Sequence, residues 1–514
     1  MRLRHSRLQK VVLGCALGAI FAAGGLSSTA NAAELTPRQQ AFREIYKELV
    51  EINTTDSVGD TVKSAEAMAA RLHGSGIPAA DIQVIRSGPR KGNMVARLRG
   101  TGARKPILLI AHMDVVEAKR EDWAFDPFKL QEVDGFFRAR GSIDDKAMAS
   151  IFVANLIEYA KEGFKPDRDI ILALTADEEL SDSPHDGPHY LLDHYRDLID
   201  AEFAINEGGG GVLRDGKPFR MSVQLAEKVY QTYVLEVTDP GGHSASGRRD
   251  NAIYVMADAL RRLSQFDFPV RLNPVTRAFF ERMVTVETGQ MAGAIETMLA
   301  GRSDDVTIAP LTNRRDYNAI IRTTCVPTQM AAGHAENALP QTVRTTVNCR
   351  ILPDQPVEEV AHTLARVIAD DRVKIIPKGT AVLSPPSPMK PDVMRTIETL
   401  SNEMWPGVPV VPVMSGGYTD SRWLRNSGIP SYSVSGLFID LPTSGVHGLN
   451  EQVGVKELYD SKECLYRLVK QLAAPSSSEN RRRIEGDAAG RFMPFKLHVL
   501  FDFAASRLKA QRSR

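Results

Sequence analysis

The run "PILLIAHMD" (106–114) ends a stretch of aliphatic residues in His112, a spacer and Asp114. "RARGSIDDK" brings Asp144, Asp145 and Lys146 to the head of a helical pattern. "TADEE" sets Asp177, Glu178 and Glu179 after the aliphatic run 170–176, and "NEGG" sets Glu207 after the run 201–206. Each piece alone has an ordinary explanation. An acidic pair after a strand is commonly a solvated loop, and acids at a helix start serve as caps or complement the helix dipole. Gathered in one place, they would repel strongly unless a cation compensates them. A divalent metal is the natural compensation. Mixed histidine and carboxylate ligation suits zinc, and carboxylate-rich sites also accept cobalt or manganese. A second imidazole is then needed, and "SGVHGLNEQV" supplies His447 in a glycine-flanked loop without periodicity.

What gathers these residues is the order of elements. Helical spacing of apolar residues runs from about Thr36 to Leu72 and again through "DDKAMASIFVANLIEYAKEG", where Gly163 suits a helix C-terminus. Between and after these lie the strand-like runs "NMVARLRG", "PILLIAHMD", "RDIILALTADEE" and "AEFAINEGGGG". Alternating strands and helices predict an α/β catalytic domain with a mostly parallel sheet flanked by helices. In such a sheet the carboxyl ends of the strands form the crevice where ligands bind, so the acidic strand ends share one edge. After Glu227 the texture changes. "YQTYVLEVTDPGG" and "QTVRTTVNCRILPD" alternate polar and apolar residues, as half-exposed antiparallel strands do. The expected organisation is a catalytic domain over 33–228 and 379–474, with an inserted α+β lid/dimerisation domain over 229–378.

The motifs "HMD", "RARGSIDDK", "TADEE", "NEGG", "GGHSAS", "NALP…CR", "SGGYTD" and "HGLNE" occur in this order. Over roughly residues 36 to 472 the chain resembles the di-zinc metallopeptidases that include aminoacylase, carnosinase, bacterial glutamate carboxypeptidase and carboxypeptidase S. "EDWAFDPFKL" before "RARGSIDDK" is similar to the carboxypeptidase S and N-acyl-amino-acid hydrolase branch. The resemblance implies two Zn2+ bridged by Asp144, with His112 and Glu207 completing one ion and Glu179 and His447 the other. It implies Glu178 as general base acting on metal-activated water, and Asp114 as the carboxylate that orients His112. It further implies that His243 reaches a substrate oxyanion, often in a partner subunit's site, since such inserted domains frequently form homodimers. Asn337 and Arg350 resemble residues that hold a substrate carboxylate, and Gly416 and Gly417 ones whose backbone amides approach the substrate. Without the resemblance, His243 reads as a turn histidine, Arg350 as a solvated strand end, and the glycines as a plain turn. Two positions depart from the family pattern: Ala147 replaces the usual glycine, and Glu207 stands where many dipeptidases have aspartate. The second departure tilts the reading slightly toward N-acyl or carboxypeptidase-type substrates.

The expected activity is therefore hydrolysis of an amide next to a free carboxylate, of carboxypeptidase or dipeptidase type. The alternatives are an N-acyl-amino-acid hydrolase and a non-catalytic scaffold of the same fold, although a pure binder has no use for Glu178. The substrate is a small peptide or an N-acyl amino acid. With 514 residues and a formal net charge of +1, nothing supports a nucleic-acid partner. Residues 1–32 read as a signal peptide: a basic start, an apolar run and an A-x-A pattern at Ala30 and Ala32. A periplasmic or secreted location follows. An uncleaved anchor and lipidation at Cys15 are the alternatives. The segment 475–514 reads as a polar, basic linker followed by a short amphipathic helix that touches membrane or packs back. Cys325, Cys349 and Cys464 form no disulfide framework. Pairing of the first two is open, and free buried thiols are the favoured expectation. His185, His189 and His194 read as unrelated histidines of a surface loop, since Pro188 would interrupt a helix there.

Overall fold

A computed structural model describes residues 35–180 and 183–475. The expected signal peptide and C-terminal tail lie outside the described residues. Two amphipathic helices, Pro37–Glu51 and Thr61–His73, open the fold. Thr36 starts the first with a reciprocal capping box to Gln39. Its apolar face buries Phe42, Ile45, Tyr46 and Leu49 against the main core.

The large sheet runs in the order 82–86, 92–98, 170–175, 107–112, 203–206, 431–433, 217–227, 210–214 and 438–439, with the strand Val410–Ser415 also pairing to Lys217–Glu227. Its centre is parallel: Ile107–His112 pairs in parallel with Ile170–Thr175 and Phe203–Asn206, and the last with Ser431–Ser433. Every residue of Ile107–His112 and Ile170–Thr175 is buried. This explains their continuous aliphatic runs, because a parallel sheet is covered by helices on both faces. Helix Lys146–Lys161 supplies much of that cover through Ile151, Phe152, Leu156 and Tyr159. Each such side chain contributes about 1.5–3 kcal/mol when fully buried, so the strand ends project from the best-anchored part of the molecule.

A second sheet is antiparallel throughout, in the order Thr324–Ala332, Thr342–Ile351, Val229–Thr238, Val373–Lys378. Val343, Val347, Cys349 and Ile351 face a core shared with helices Ala252–Ser264 and Val357–Ile368. The alternate residues, Arg350 among them, point to the other face. Helix Pro274–Met283 and the helices that follow it as far as Ile321 do not join this core. Phe279, Phe280, Met283 and Ile321 pack with Val411 of the large sheet.

Two expectations are corrected. Cys325 and Cys349 are joined in a disulfide and are not free thiols. Sequence spacing conceals their proximity, which arises because the two residues are direct partners across antiparallel strands. Cys464 is free and buried. Pro188 does not interrupt a helix but opens one, Gly187–His194, whose N-terminus is capped by the Asp186 carboxylate. Proline is favoured there because its missing N–H would have no helical partner. Among the described residues, no helix is long and apolar enough to cross a membrane.

Candidate metal centre and active site

The parallel register sets His112 beside Thr175 at the ends of adjacent strands, so the acidic segments that follow emerge at one edge. The His112 ring is buried. Its Nε2 lies 3.0 Å from Asp144 Oδ1 and 3.8 Å from Glu207 Oε2. The loop carrying His447 crosses the same edge, with Nε2 at 2.9 Å from Asp144 Oδ2 and 3.1 Å from Glu179 Oε2. Two ligand triplets result, His112–Asp144–Glu207 and Asp144–Glu179–His447, each with donor atoms within 4.8 Å of one another. They share Asp144. A third grouping, His112–Glu178–Glu179, sets Glu178 against both.

Local backbone geometry delivers these groups. Asp177 and His447 both adopt left-handed conformations, with φ of 65° and 57°. Such angles are uncommon outside glycine and concentrate at functional sites. The turn at Asp177 aims the amides of Glu178 and Glu179 at Asp114, whose carboxylate accepts them at 3.3 and 3.1 Å. Asp177 itself turns away to Lys91 Nζ at 2.6 Å. His112 Nδ1 is 3.0 Å from the backbone oxygen of Asp114 and 3.6 Å from its carboxylate. Asp114 thus approaches the ring chiefly through its carbonyl, while its carboxylate holds the 178–179 turn. Asp145 stands at the N-cap of helix Lys146–Lys161 yet makes no capping hydrogen bond, so capping does not explain the acids there.

The electrostatics express the crowding. Burial, reinforced by Glu207, pushes the Glu178 carboxyl well above the usual range. Burial does the same for Glu207 and, less strongly, for Glu179. Burial would lower His112, but the carboxylates of Glu207, Asp114 and Asp144 outweigh it and push the imidazole well up. Hydrogen bonds to Asp144 and Glu179 raise His447 to about 10. Three buried carboxylate oxygens there, Glu207 Oε1, Asp145 Oδ2 and Asp420 Oδ1, have no hydrogen-bond partner. A cluster that strains against its own charge, with buried carboxylate oxygens unpaired, has the donor chemistry that a divalent cation satisfies.

The remaining expected site residues occupy two other places. Arg350 lies on the outer face of the second sheet, directly opposite Tyr230, with its guanidinium carbon 4.7 Å from that ring's centre. Its Nη1 is buried without a partner. Tyr230 in turn meets Tyr418 edge-on, beside Gly416 and Gly417. A Cβ on Gly416 would touch nothing within 4 Å. His243 and Asn337 come together on a small ribbon, where Ser244 N donates to Asn337 O. Both are exposed, and among the described residues no hydrogen bond or ion pair ties them to the carboxylates. His189 stacks on Trp423 and His194 meets Tyr190 at a tilt, and neither belongs to a ligand grouping among the described residues.

Three contributors carried no role in the sequence reading, although motif residues named above include two of them. Glu451, at the end of "HGLNE", is fully buried. Its Oε2 accepts from Arg140 Nη1 and Gly141 N, and its Oε1 from Ile143 N and Asp144 N, at 2.6–3.2 Å. It fixes the loop that presents Asp144. Asp420, at the end of "SGGYTD", accepts from Thr175 Oγ1 at 2.7 Å, and burial pushes its carboxyl well up. Arg422 lies over the Tyr418 ring at 3.9 Å and pairs with Asp186 at 3.1 Å. Nothing in its spacing marks it.

A family model described as Peptidase family M20/M25/M40 matches residues 108–471. An "N-fatty-acyl-amino acid synthase/hydrolase PM20D1" from Xenopus tropicalis is 30% identical over 398 residues, covering 73% of this chain and 73% of that protein. A "Probable carboxypeptidase S-like 2" from Dictyostelium discoideum is 28% identical over 382 residues, covering 71% of each. In fold, human carnosine dipeptidase 1 superposes with a TM-score of 0.62 at 14% identity, over 85% of this chain and 96% of that one.

Proposed function

We propose that this chain, which belongs to peptidase family M20/M25/M40 and is a hydrolase of that family, is an exported, zinc-dependent amidohydrolase that cleaves an amide next to a free carboxylate. The observation that carries this reading is the pair of ligand triplets sharing Asp144, with Glu178 set against both. His112, Asp144 and Glu207 would hold one ion, and Asp144, Glu179 and His447 the other. Ions bound there would polarise the scissile carbonyl and ease deprotonation of a water. Glu178, set against both triplets, takes the proton from the attacking water and returns it to the leaving nitrogen. Asp114 keeps Glu178 and Glu179 in place through their amides and holds His112 through its carbonyl. Arg350, with its unpartnered Nη1 over Tyr230, takes the substrate's carboxylate. Both relatives' names fit such substrates: a carboxypeptidase releases a C-terminal amino acid, and an N-acyl-amino-acid hydrolase releases one from an acyl group. Export is supported by the N-terminal signal pattern and by the Cys325–Cys349 disulfide, a bond that persists in oxidising compartments. The exposed ribbon carrying His243 and Asn337 suits a site completed by a second copy of the chain.

The test is metal content and turnover measured together. Purified protein should carry two zinc ions per chain, lose activity on chelation and regain it with added zinc. Glu178→Gln should keep both ions and lose about a hundred- to ten-thousandfold in kcat. Undiminished turnover in that variant removes Glu178 from the chemistry.

A further inference from the structure

Glu178 and Glu179 ride on one turn, which the strand Ile170–Thr175 delivers to the cluster. Asp177 opens that turn in the left-handed region, a conformation that a residue other than glycine keeps where its surroundings hold it. One hold is Asp114, which accepts from the two glutamate amides. The other acts on the Asp177 side chain, which is completely buried. Its Oδ1 accepts from Lys91 Nζ and its Oδ2 from Ser183 Oγ, each at 2.6 Å. A buried carboxylate needs a cation beside it, and among the described residues Lys91 is the one that pairs with Asp177.

Lys91 belongs to none of the motifs, and strand pairing brings it to the site. It ends the turn between Ile82–Arg86 and Gly92–Leu98, where its carbonyl accepts from Ser87 N at 3.0 Å and its amide donates to Gly88 O at 3.3 Å. Strand Gly92–Leu98 runs antiparallel to Ile170–Thr175, with Met94 opposite Leu174. The turn before the first strand therefore arrives beside the turn after the second, and Asn93 Oδ1 fixes the approach by accepting from Ala176 N at 3.0 Å. The same ammonium reaches Asp56, an exposed residue between the two opening helices, at 2.6 Å. Packing does not wedge the glutamate turn on this side. A cavity of about 250 Å3 lies against Lys91, Asp114, Asp177 and Glu179, so the turn has room to shift once its ion pair is lost.

We propose that Lys91 is a positioning residue of this centre: through Asp177 it holds the turn that aims Glu178 at the attacking water and Glu179 at one of the two ions. This rests on the amide-hydrolase reading above. Asp177→Gly isolates the effect. Glycine takes the left-handed angle freely, and Lys91 keeps Asp56, so the anchor is lost without strain and without a stranded buried charge. In a chelator titration of the zinc-loaded variant, one ion should bind about tenfold more weakly and the other as in the parent. At saturating zinc, with N-acetyl-phenylalanine and alanyl-phenylalanine as substrates, kcat should fall about ten- to a hundredfold while KM stays within about threefold. Asp177→Asn keeps an acceptor for Lys91 and tolerates the left-handed angle, so it should recover most of both losses. Lys91→Met, made in that Asp177→Asn background so that no carboxylate is buried without a cation, should bring the losses back. An Asp177→Gly protein with parental near-UV circular dichroism, zinc affinities and kcat overturns the proposal. So does a Lys91→Met change that leaves the Asp177→Asn protein as it was, since the anchor would then be Ser183. A parent that hydrolyses neither compound refutes the amide-hydrolase reading, and the zinc titration still decides whether Lys91 holds the turn.

Discussion

Arg350 illustrates how much one residue depends on its surroundings. A guanidinium at a strand end is ordinarily solvated. Here it is drawn over the Tyr230 ring, one of its nitrogens is buried without a partner, and burial lowers its pKa. An unsatisfied buried donor is costly unless a ligand completes it. Arg350→Ala should therefore raise KM for substrates with a free carboxylate roughly ten- to a hundredfold, the worth of a charged hydrogen bond, and leave kcat within a few-fold. Carboxamide analogues are the control. If they lose as much as the acids, the guanidinium is not reading a carboxylate. Asp114 makes a related point: its type suggested a partner for the His112 ring, yet its carboxylate caps two amides of the neighbouring turn and its carbonyl faces the ring.

Between elements, the decisive contact joins the loop 139–144 to the segment that carries His447. Glu451 takes two donors on each carboxylate oxygen, and its own carbonyl accepts from Ala139 N. Arg140 Nη2 also donates to Gly448 O, one residue from His447. The presenters of Asp144 and His447 are thus one hydrogen-bonded unit. Glu451→Gln would set an amide NH2 against one of the two donor pairs. We expect metal affinity to fall by about ten- to a hundredfold, as losses of groups that orient metal ligands do. Competition with a chromophoric chelator measures this directly. Unchanged affinity would mean that the loop holds its shape without the carboxylate.

At the scale of the whole molecule, the two sheets meet where the chain leaves the large sheet at Glu227 and Lys228. Glu227 is fully buried and pairs with Arg425 at 2.5 Å, while accepting from Thr419 Oγ1 at 2.6 Å and Ser384 Oγ at 3.3 Å. The outgoing strand, the returning segment and the loop after Val410–Ser415 are thereby tied at one point. Arg425→Ala leaves a buried carboxylate uncompensated and should destabilise the protein by about 3–5 kcal/mol in denaturant unfolding. The double replacement Glu227→Leu with Arg425→Met should recover much of that loss, because it removes both buried charges. A single variant as stable as the parent would show that the pair carries no such burden. The amino-acid sequence by itself determined the elements and the chemistry they carry. Continuous aliphatic runs specified parallel buried strands, and the acids at their ends specified an edge rich in ligands, because side-chain period and strand polarity are local properties. Family motifs extended that to individual residues such as His447. What only the tertiary structure decided are contacts between distant segments. These are the grip of Glu451 on Asp144 across 307 positions, the disulfide set by strand register, the return of Phe279 and Phe280 to the large sheet, and the pairing of Lys91 with Asp177 across 86 positions. No local pattern encodes them, since each partner is chosen by the packing of the whole chain.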